Sequence, residues 1–410
     1  MDFLRSVDWQ SLAVIPVPVI VASWARSERS RAVGRAPGGE QPAGHEADAR
    51  AAPLCISSGW SSFPGCGIMG VTGLIARADV RQRKTVESKT KNTMTRPQIA
   101  AMAARAFGGM ALADSEDAVL ELKDGWFNAA YNVRLVDGRE VILKIAPPRD
   151  AEVMFYENNI MATEVAAMRL VRRNPAIPAP EIYHFDDGHD LCDSDYFFME
   201  KLAGDNLEHV RASLPPETQA SIDLHIGEII REINGFTGTY FGYDGNPDLR
   251  ASTWREAFIK IMESVLEDGT RKGVVYDHGY AEIRAAVLRH APALEEVTTP
   301  CLVHWDVWDP NVFVKEGRVV GLIDFERALW ADPLMEAQFR SLSSDGITSS
   351  MRGYGKTSFT FEEERRCRLY SLHLALVMNT ECCYRSYDND FVYNLSRQWM
   401  GEHMDWLKAN

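Results

Sequence analysis

Long apolar runs, cysteines spaced for a metal, internal repeats and a basic surplus are all missing from this sequence. The apolar stretch nearest the start, Leu12–Ala22, has eleven residues and is broken by Pro16 and Pro18. A bilayer-spanning helix needs about 20 residues, so no membrane span is expected. Asp2 and Asp8 offset Arg5 where a secretory leader would be basic, which argues against secretion. Seven cysteines, at 55, 66, 192, 301, 367, 382 and 383, lack the paired spacing of a zinc site and suit reduced thiols in a cytoplasmic protein. Acidic residues outnumber basic ones, 58 to 44, for a net charge of −14. Residues 1–97 carry +5 of this balance and the remainder −19. Nucleic-acid surfaces are basic, so no nucleic-acid partner is expected of such a body. A cationic small molecule is compatible with it.

What is present supports a soluble globular body after residue 93. The 410 residues are 46% hydrophobic, enough to fill a sizeable core. Residues 1–93 show neither helical nor strand periodicity and are expected to stand outside the fold as a disordered or non-native extension. Thr95-x-x-Gln98, with Pro97, is a capping box that opens an alanine-rich helix ending at Gly108-Gly109. Strands are expected at Val119–Lys123, Tyr131–Val136 and Glu140–Ile145, the last two joined by an Asp137-Gly138 turn. A helix around Asn159–Arg173 precedes the proline-rich connector Asn174–Pro180, and Tyr196–Leu202 reads as a further strand. Gly204 would then let the chain turn into a second, mostly helical part. Apolar stripes at helical spacing mark Thr218–Phe236, Trp254–Leu266 and Tyr280–Leu288. Thr360-x-x-Glu363 caps a long helix to about Cys383, and Asp390–Lys408 supplies the last.

The chemistry concentrates at Cys301–Glu336. His304, Asp306 and Asn311 follow a short apolar run; two strands, Val312–Val314 and Val319–Ile323, then turn at Gly317, and Asp324 follows the second. Such a hairpin returns Asp324 close to Asn311. Phosphoryl transfer from ATP requires a carboxylate at the acceptor hydroxyl and oxygen ligands for magnesium. The five-residue step from Asp306 to Asn311 is that of the kinase H-R-D-x-x-x-x-N loop. His304 is expected to support the loop backbone, and Trp305 and Trp308 to pack.

This stretch resembles the aminoglycoside phosphotransferase family, small-molecule kinases with a protein-kinase-like fold. The likeness rests on His304 and Asp306, Asn311, the string Ile323-Asp324-Phe325-Glu326, and Asp332-Pro333; it departs at Trp305, where the family usually has Gly. The resemblance implies an α+β, bilobal fold, with a small β-sheet lobe over residues 94–203 and a larger helical lobe over 204–410. It implies ATP and Mg2+ as cofactors and the transfer of the γ-phosphate to a hydroxyl of a small, cationic molecule (aminoglycoside-like, amino sugar or choline-like). Asp306 would be the catalytic base, and Asn311 and Asp324 the metal ligands. Lys144, in Val-Ile-Leu-Lys-Ile, would bind phosphates and be fixed by Glu164. Gly125 and Asn128, in a glycine-poor turn, would lie over the phosphates. Backbone groups at Glu200 and Leu202 would meet adenine. Candidate carboxylates for an amine are Glu362–Glu364, Asp388, Asp390, Glu402 and Asp405. Two alternatives stay open. Trp305 and the glycine-poor turn fit a nucleotide-binding pseudoenzyme, and a protein kinase is the weaker reading because Asp-Phe-Glu replaces Asp-Phe-Gly and no Ala-Pro-Glu follows.

Overall fold

Near the start of the described chain, Asn92 Nδ2 donates to Ser194 Oγ at 2.8 Å and the Met94 N–H donates to the Tyr131 hydroxyl at 2.9 Å. The computed structural model describes residues 91–122, 127–340, 346–387 and 390–410. The expected extension thus falls almost wholly outside the described residues. Helix α1 (Arg96–Ala106) starts where its box predicts, with the Gln98 side chain accepting from the Thr95 N–H at 2.9 Å. Its buried Ile99 and Met102 pack with Leu135, Leu143, Tyr196 and Phe198 in one core beneath the sheet.

That sheet has five antiparallel strands: β1 (Val119–Leu122), β2 (Ala129–Arg134), β3 (Glu140–Ile145), β4 (Ile182–Asp186) and β5 (Tyr196–Glu200), in the order β1-β2-β3-β5-β4. Strand β3 alternates, with Val141, Leu143 and Ile145 in the α1-side core and Ile142 and Lys144 on the other face. A lysine on an alternating strand ordinarily meets water. Here the second face is covered by α2 (Ile160–Val171), whose Met161, Val165 and Met168 pack with Phe197, the residue opposite Lys144.

The remainder is mainly helical: α3 (Pro216–Ile233), α4 (Trp254–Arg271), α5 (Tyr280–His290), α6 (Ser349–Tyr354), α7 (Phe361–Arg385) and α8 (Phe391–Ala409). Helix α3 buries Ile222, Ile226, Ile229, Ile230 and Ile233, the spacing read from the sequence. Helix α7 is different. It is buried nearly all round, Leu369 through Met378 without a break, so it is the axis of this part rather than an amphipathic wall. Trp254, Phe258, Phe339 and Tyr370 form the densest core around it.

Small strands carry the polar loop. β6 (Asp205–Asn206) pairs with β8 (Val312–Lys315), which pairs with β9 (Arg318–Leu322), while β7 (Cys301–Val303) pairs with β10 (Leu329–Ala331). The β8–β9 turn places Glu316 and Gly317 at φ +52° and +74°, the left-handed pair that suits a two-residue hairpin. Gly204 serves another purpose than the expected swing. A Cβ there would lie 2.8 Å from Val320 Cγ2 and 2.9 Å from Val314 O, so glycine lets the chain pass tightly beside the hairpin. One hydrophobic cluster joins Met161, Val165, Phe197 and Met199 to Ile222, Val312, Leu322 and Phe325, so sheet and helical parts share a core. Cys192, Cys301, Cys367, Cys382 and Cys383 are free thiols, and Cys55 and Cys66 lie outside the described residues. Among the described residues no helix is long and apolar enough to cross a membrane.

Candidate active site

The loop between β7 and β8 is held by a buried carboxylate that sequence reading left unassigned. Glu336 Oε1 accepts from the His304 N–H at 2.9 Å and from Asn234 Nδ2 at 3.0 Å, and its Oε2 accepts from the Trp305 N–H at 3.0 Å. Burial pushes its pKa up to about 7 against the opposing pull of those donors. His304 bonds Ile323 O through Nε2 at 3.1 Å, and its Nδ1 accepts from the Asp306 N–H at 3.3 Å. Burial lowers its pKa to about 4, so the ring is neutral and supports the backbone.

Trp305 occupies a backbone conformation that favours glycine. Its φ is +72°, a conformation that costs a side-chain-bearing residue roughly 1–2 kcal/mol. The ring is buried, with the Arg340 and Arg327 guanidinium groups 4.1 and 5.0 Å from its centroid and the His373 ring edge-on at 6.1 Å. The backbone has therefore kept the glycine geometry.

The hairpin does return Asp324 toward Asn311. The Ile323 N–H donates to Asn311 O at 3.0 Å, and Asn311 Nδ2 donates to Asp306 O at 2.9 Å. Asp324 itself sits at φ +69° and aims its carboxylate at β3. Lys144 Nζ meets Asp324 Oδ1 at 2.6 Å, Glu164 Oε2 at 2.7 Å and Glu326 Oε2 at 3.3 Å. Asn128 Nδ2 donates to the same Glu326 oxygen at 2.6 Å. Burial pulls the Lys144 pKa down, but Asp324, Glu164 and Glu326 outweigh it and hold the ammonium well above its ordinary range. Burial pushes Glu164 up to about 8 and Glu326 up to about 7. One cation faces three carboxylates, so full ionisation of all three is disfavoured.

Glu164, Asp324 and Glu326 offer oxygens within 4.8 Å of one another, and the Asn311 backbone carbonyl meets the N–H of Ile323, the residue before Asp324. An all-oxygen set carrying excess negative charge fits a hard divalent ion such as Mg2+. Asn128 Oδ1 is buried without a partner among the described residues, a further polar atom aimed into this region.

Other sequence expectations meet a different environment. Gly125 lies outside the described residues. The Glu200 N–H donates to Glu181 O at 2.8 Å. Leu202 lays its side chain against Gly321 of β9, and a Cβ on that glycine would collide with it. Asp388 also lies outside the described residues. Glu362 and Glu364 pair with Arg365 and Arg368, each at 3.3 Å, and the Glu363 carboxylate accepts from the Thr360 N–H at 2.9 Å. All three lie in the first turn of α7, about 15 Å along its axis, at ~1.5 Å per residue, from His373, whose ring meets Trp305. Glu402 bonds Gln398 at 2.9 Å, Asp405 is exposed, and Asp390 precedes α8.

The charges that do surround Asp306 were not foreseen. Burial raises its pKa, while Arg327 and Arg340 oppose the shift and Asp324 and Glu381 add to it. Arg327 pairs with Glu381 at 2.7 Å, and Arg385 pairs with Glu381 at 3.1 Å and with Glu157 at 2.6 Å. The Tyr156 hydroxyl donates to Glu381 at 2.9 Å. Arg327 directly follows the Asp-Phe-Glu string, but no periodicity marks Glu381 or Arg385, which meet the loop only through the packing of α7.

Residues 118–339 match the model of the phosphotransferase enzyme family, more than half of the chain. A subtelomeric hrmA-associated cluster protein of Aspergillus fumigatus is 28% identical over 125 residues, 30% of this chain, and only 24% of that relative's length is spanned. Among solved structures, a candidate fructosamine-3-kinase from Thermobifida fusca has 18% identity and a TM-score of 0.55, covering 76% of this chain and 99% of the other. One from Haemophilus somnus has 16% identity and a TM-score of 0.54, covering 74% and 96%. The aminoglycoside phosphotransferase APH(4)-Ia, in a ternary complex with AMP-PNP and hygromycin B, has 19% identity and a TM-score of 0.52, covering 75% and 98%. At these identities the likeness is one of fold: a kinase-like α+β arrangement.

Proposed function

The chain belongs to the phosphotransferase enzyme family, and from that premise we propose that it transfers the γ-phosphate of ATP to a hydroxyl of a small molecule. The observation that carries the reading is the convergence of Lys144, Glu164 and Asp324 from three separate elements, beside a loop that presents Asp306. In the reaction the acceptor oxygen forms a bond to the γ-phosphorus and the bond from that phosphorus to the β-phosphate oxygen breaks, releasing ADP. Asp306 receives the hydroxyl proton, a role favoured by its raised pKa. Lys144, oriented by Glu164, binds phosphate oxygens. Asn311 and Asp324 would hold Mg2+, which when bound neutralises phosphate charge. Leu202 and its neighbours after β5 receive the adenine edge, and Asn128 lies near the phosphates through its tie to Glu326. We assign residues 94–203 and 204–410 to the two lobes and the reaction to the cytoplasm, in keeping with the free thiols. Of the acidic residues first considered for binding an amine, Glu362, Glu363 and Glu364 are engaged by Arg365, Lys356 and Arg368.

ATP titrations with and without Mg2+ test the division of labour. Asp324→Ala should abolish the magnesium-dependent part of binding, whereas Lys144→Ala should weaken binding in both conditions. Identical titrations for the two variants, or no magnesium-dependent ATP binding by the wild type, would overturn the assignment.

A further inference from the structure

The charge around Asp306 is set by arginine. Glu381 and Glu157, the other carboxylates of this network, are already held by Arg327 and Arg385 at 2.6–3.1 Å. An amine recognised here would have to displace one of those guanidinium groups. Arg340 is in the opposite position. Among the described residues no carboxylate forms an ion pair with it, and its contacts are the carbonyls of Trp305 and Met335, the latter at 3.3 Å from Nη2. Nη1 donates to no described residue. The guanidinium carbon lies 4.1 Å from the Trp305 ring centroid, a cation–π contact. Asp306 and Glu336 act on its charge from nearby without contacting it, and burial lowers its pKa to about 10. A half-buried guanidinium with one edge free of described partners, beside Asp306, is a receptor for an oxyanion.

We infer that the acceptor carries a carboxylate or a phosphate monoester, received by Arg340 while its hydroxyl faces Asp306. The inference rests on the phosphotransferase reading above. Arg340, with Arg327 also near Asp306, offsets the repulsion that Asp306 presents to an incoming negative substrate.

Matched six-carbon acceptors provide the test: gluconate, glucose 6-phosphate, glucose and glucosamine, each with the full-length protein and Mg-ATP. ADP release and the shift in melting temperature beside a non-hydrolysable ATP analogue are both recorded. An oxyanion acceptor should exceed glucose in kcat/KM by about tenfold or more, the scale of one charge-assisted hydrogen bond. Gluconate against glucose 6-phosphate then tells which oxyanion is preferred. Arg340→Gln should raise the acceptor KM by a similar factor with the ATP KM unmoved, and Arg340→Lys should restore part of it; a merely structural Arg340 would move both constants together. Preference for glucose or glucosamine, equal turnover of all four, or melting shifts no larger for the oxyanions than for glucose when none is turned over, would overturn the inference. Loss of magnesium-dependent ATP binding is a separate outcome, and it counts against the phosphotransferase reading itself.

Discussion

Asp306 and Asp324 stand eighteen residues apart, at the two ends of one hairpin segment, yet their surroundings are opposite. Asp324 contacts Lys144 directly at 2.6 Å, inside a cluster drawn from β3, α2 and the loop after β9. Asp306 contacts no described basic side chain, although Arg327 and Arg340 lie close enough to oppose the rise of its pKa. The difference suits the roles proposed for the two. A group that waits for metal and phosphate can rest against a lysine, since both partners find new ones when the nucleotide arrives. A group that must accept a proton loses that ability in a tight ion pair, because the pair stabilises the ionised form. Glu381 and Glu336 prevent such a pair: the first engages Arg327 directly, and the second holds the backbone of Trp305.

The largest effect expected from breaking this contrast is on turnover. Asp306→Asn keeps size and polarity but removes the proton acceptor, and should lower kcat by about 10²–10⁴-fold with ATP affinity retained. Turnover within a few-fold of wild type would place the base elsewhere. On the other side, Lys144→Ala strands Glu164, Asp324 and Glu326 without their cation. Removing one partner of a buried ion pair costs about 3–5 kcal/mol, so denaturant unfolding should show a loss on that order. A loss below about 1 kcal/mol would mean that water or bound cations already screen the cluster.

Trp305→Gly sharpens the comparison from the acceptor side. Glycine relieves about 1–2 kcal/mol of left-handed strain, while loss of a buried tryptophan costs about 3–5 kcal/mol. The variant should therefore be destabilised by about 2 kcal/mol on the same principles, and more stable protein would show that the ring is not supported by the two arginines.

The smallest effect is in pH dependence. Glu164, Glu326 and Glu336, raised to about 8, 7 and 7, bind protons in the folded state at pH values where the unfolded chain has lost them. Their contribution to stability is thus lost as pH rises from about 4.5 to about 8. His304, His373 and His403, lowered to about 4, 3 and 3, act in the opposite sense below about 6.5. Melting temperature in EDTA should therefore fall between about pH 6.5 and 8, and Glu326→Gln should flatten the fall. A rising melting temperature across that interval would show the cluster ionised throughout.

The sequence by itself determined the longer elements and the candidate catalytic stretch, but not the short β4, β6, β7, β10 and α6. Hairpin turns, capping boxes and apolar spacing are local: Thr95 and Thr360 cap helices where read, β3 is Glu140–Ile145 as expected, and α3 buries the isoleucines its spacing marks. The Asp306–Asn311–Asp324 spacing was legible for the same reason, since one loop and one hairpin fix it. Only the tertiary structure decided which charges meet. Lys144 and Asp324 are 180 residues apart, Arg327 and Glu381 54, and Arg385 and Glu157 228. No periodicity encodes such pairs, because a charged side chain reads alike on a wet face and in a covered one. The acidic surplus suggested a cation; the packing of α7 against the loop joined its nearest carboxylates to arginines and left Arg340 without an ion-paired carboxylate among the described residues. Net charge is a sum over the surface, whereas recognition depends on the few groups that burial brings together and strips of water.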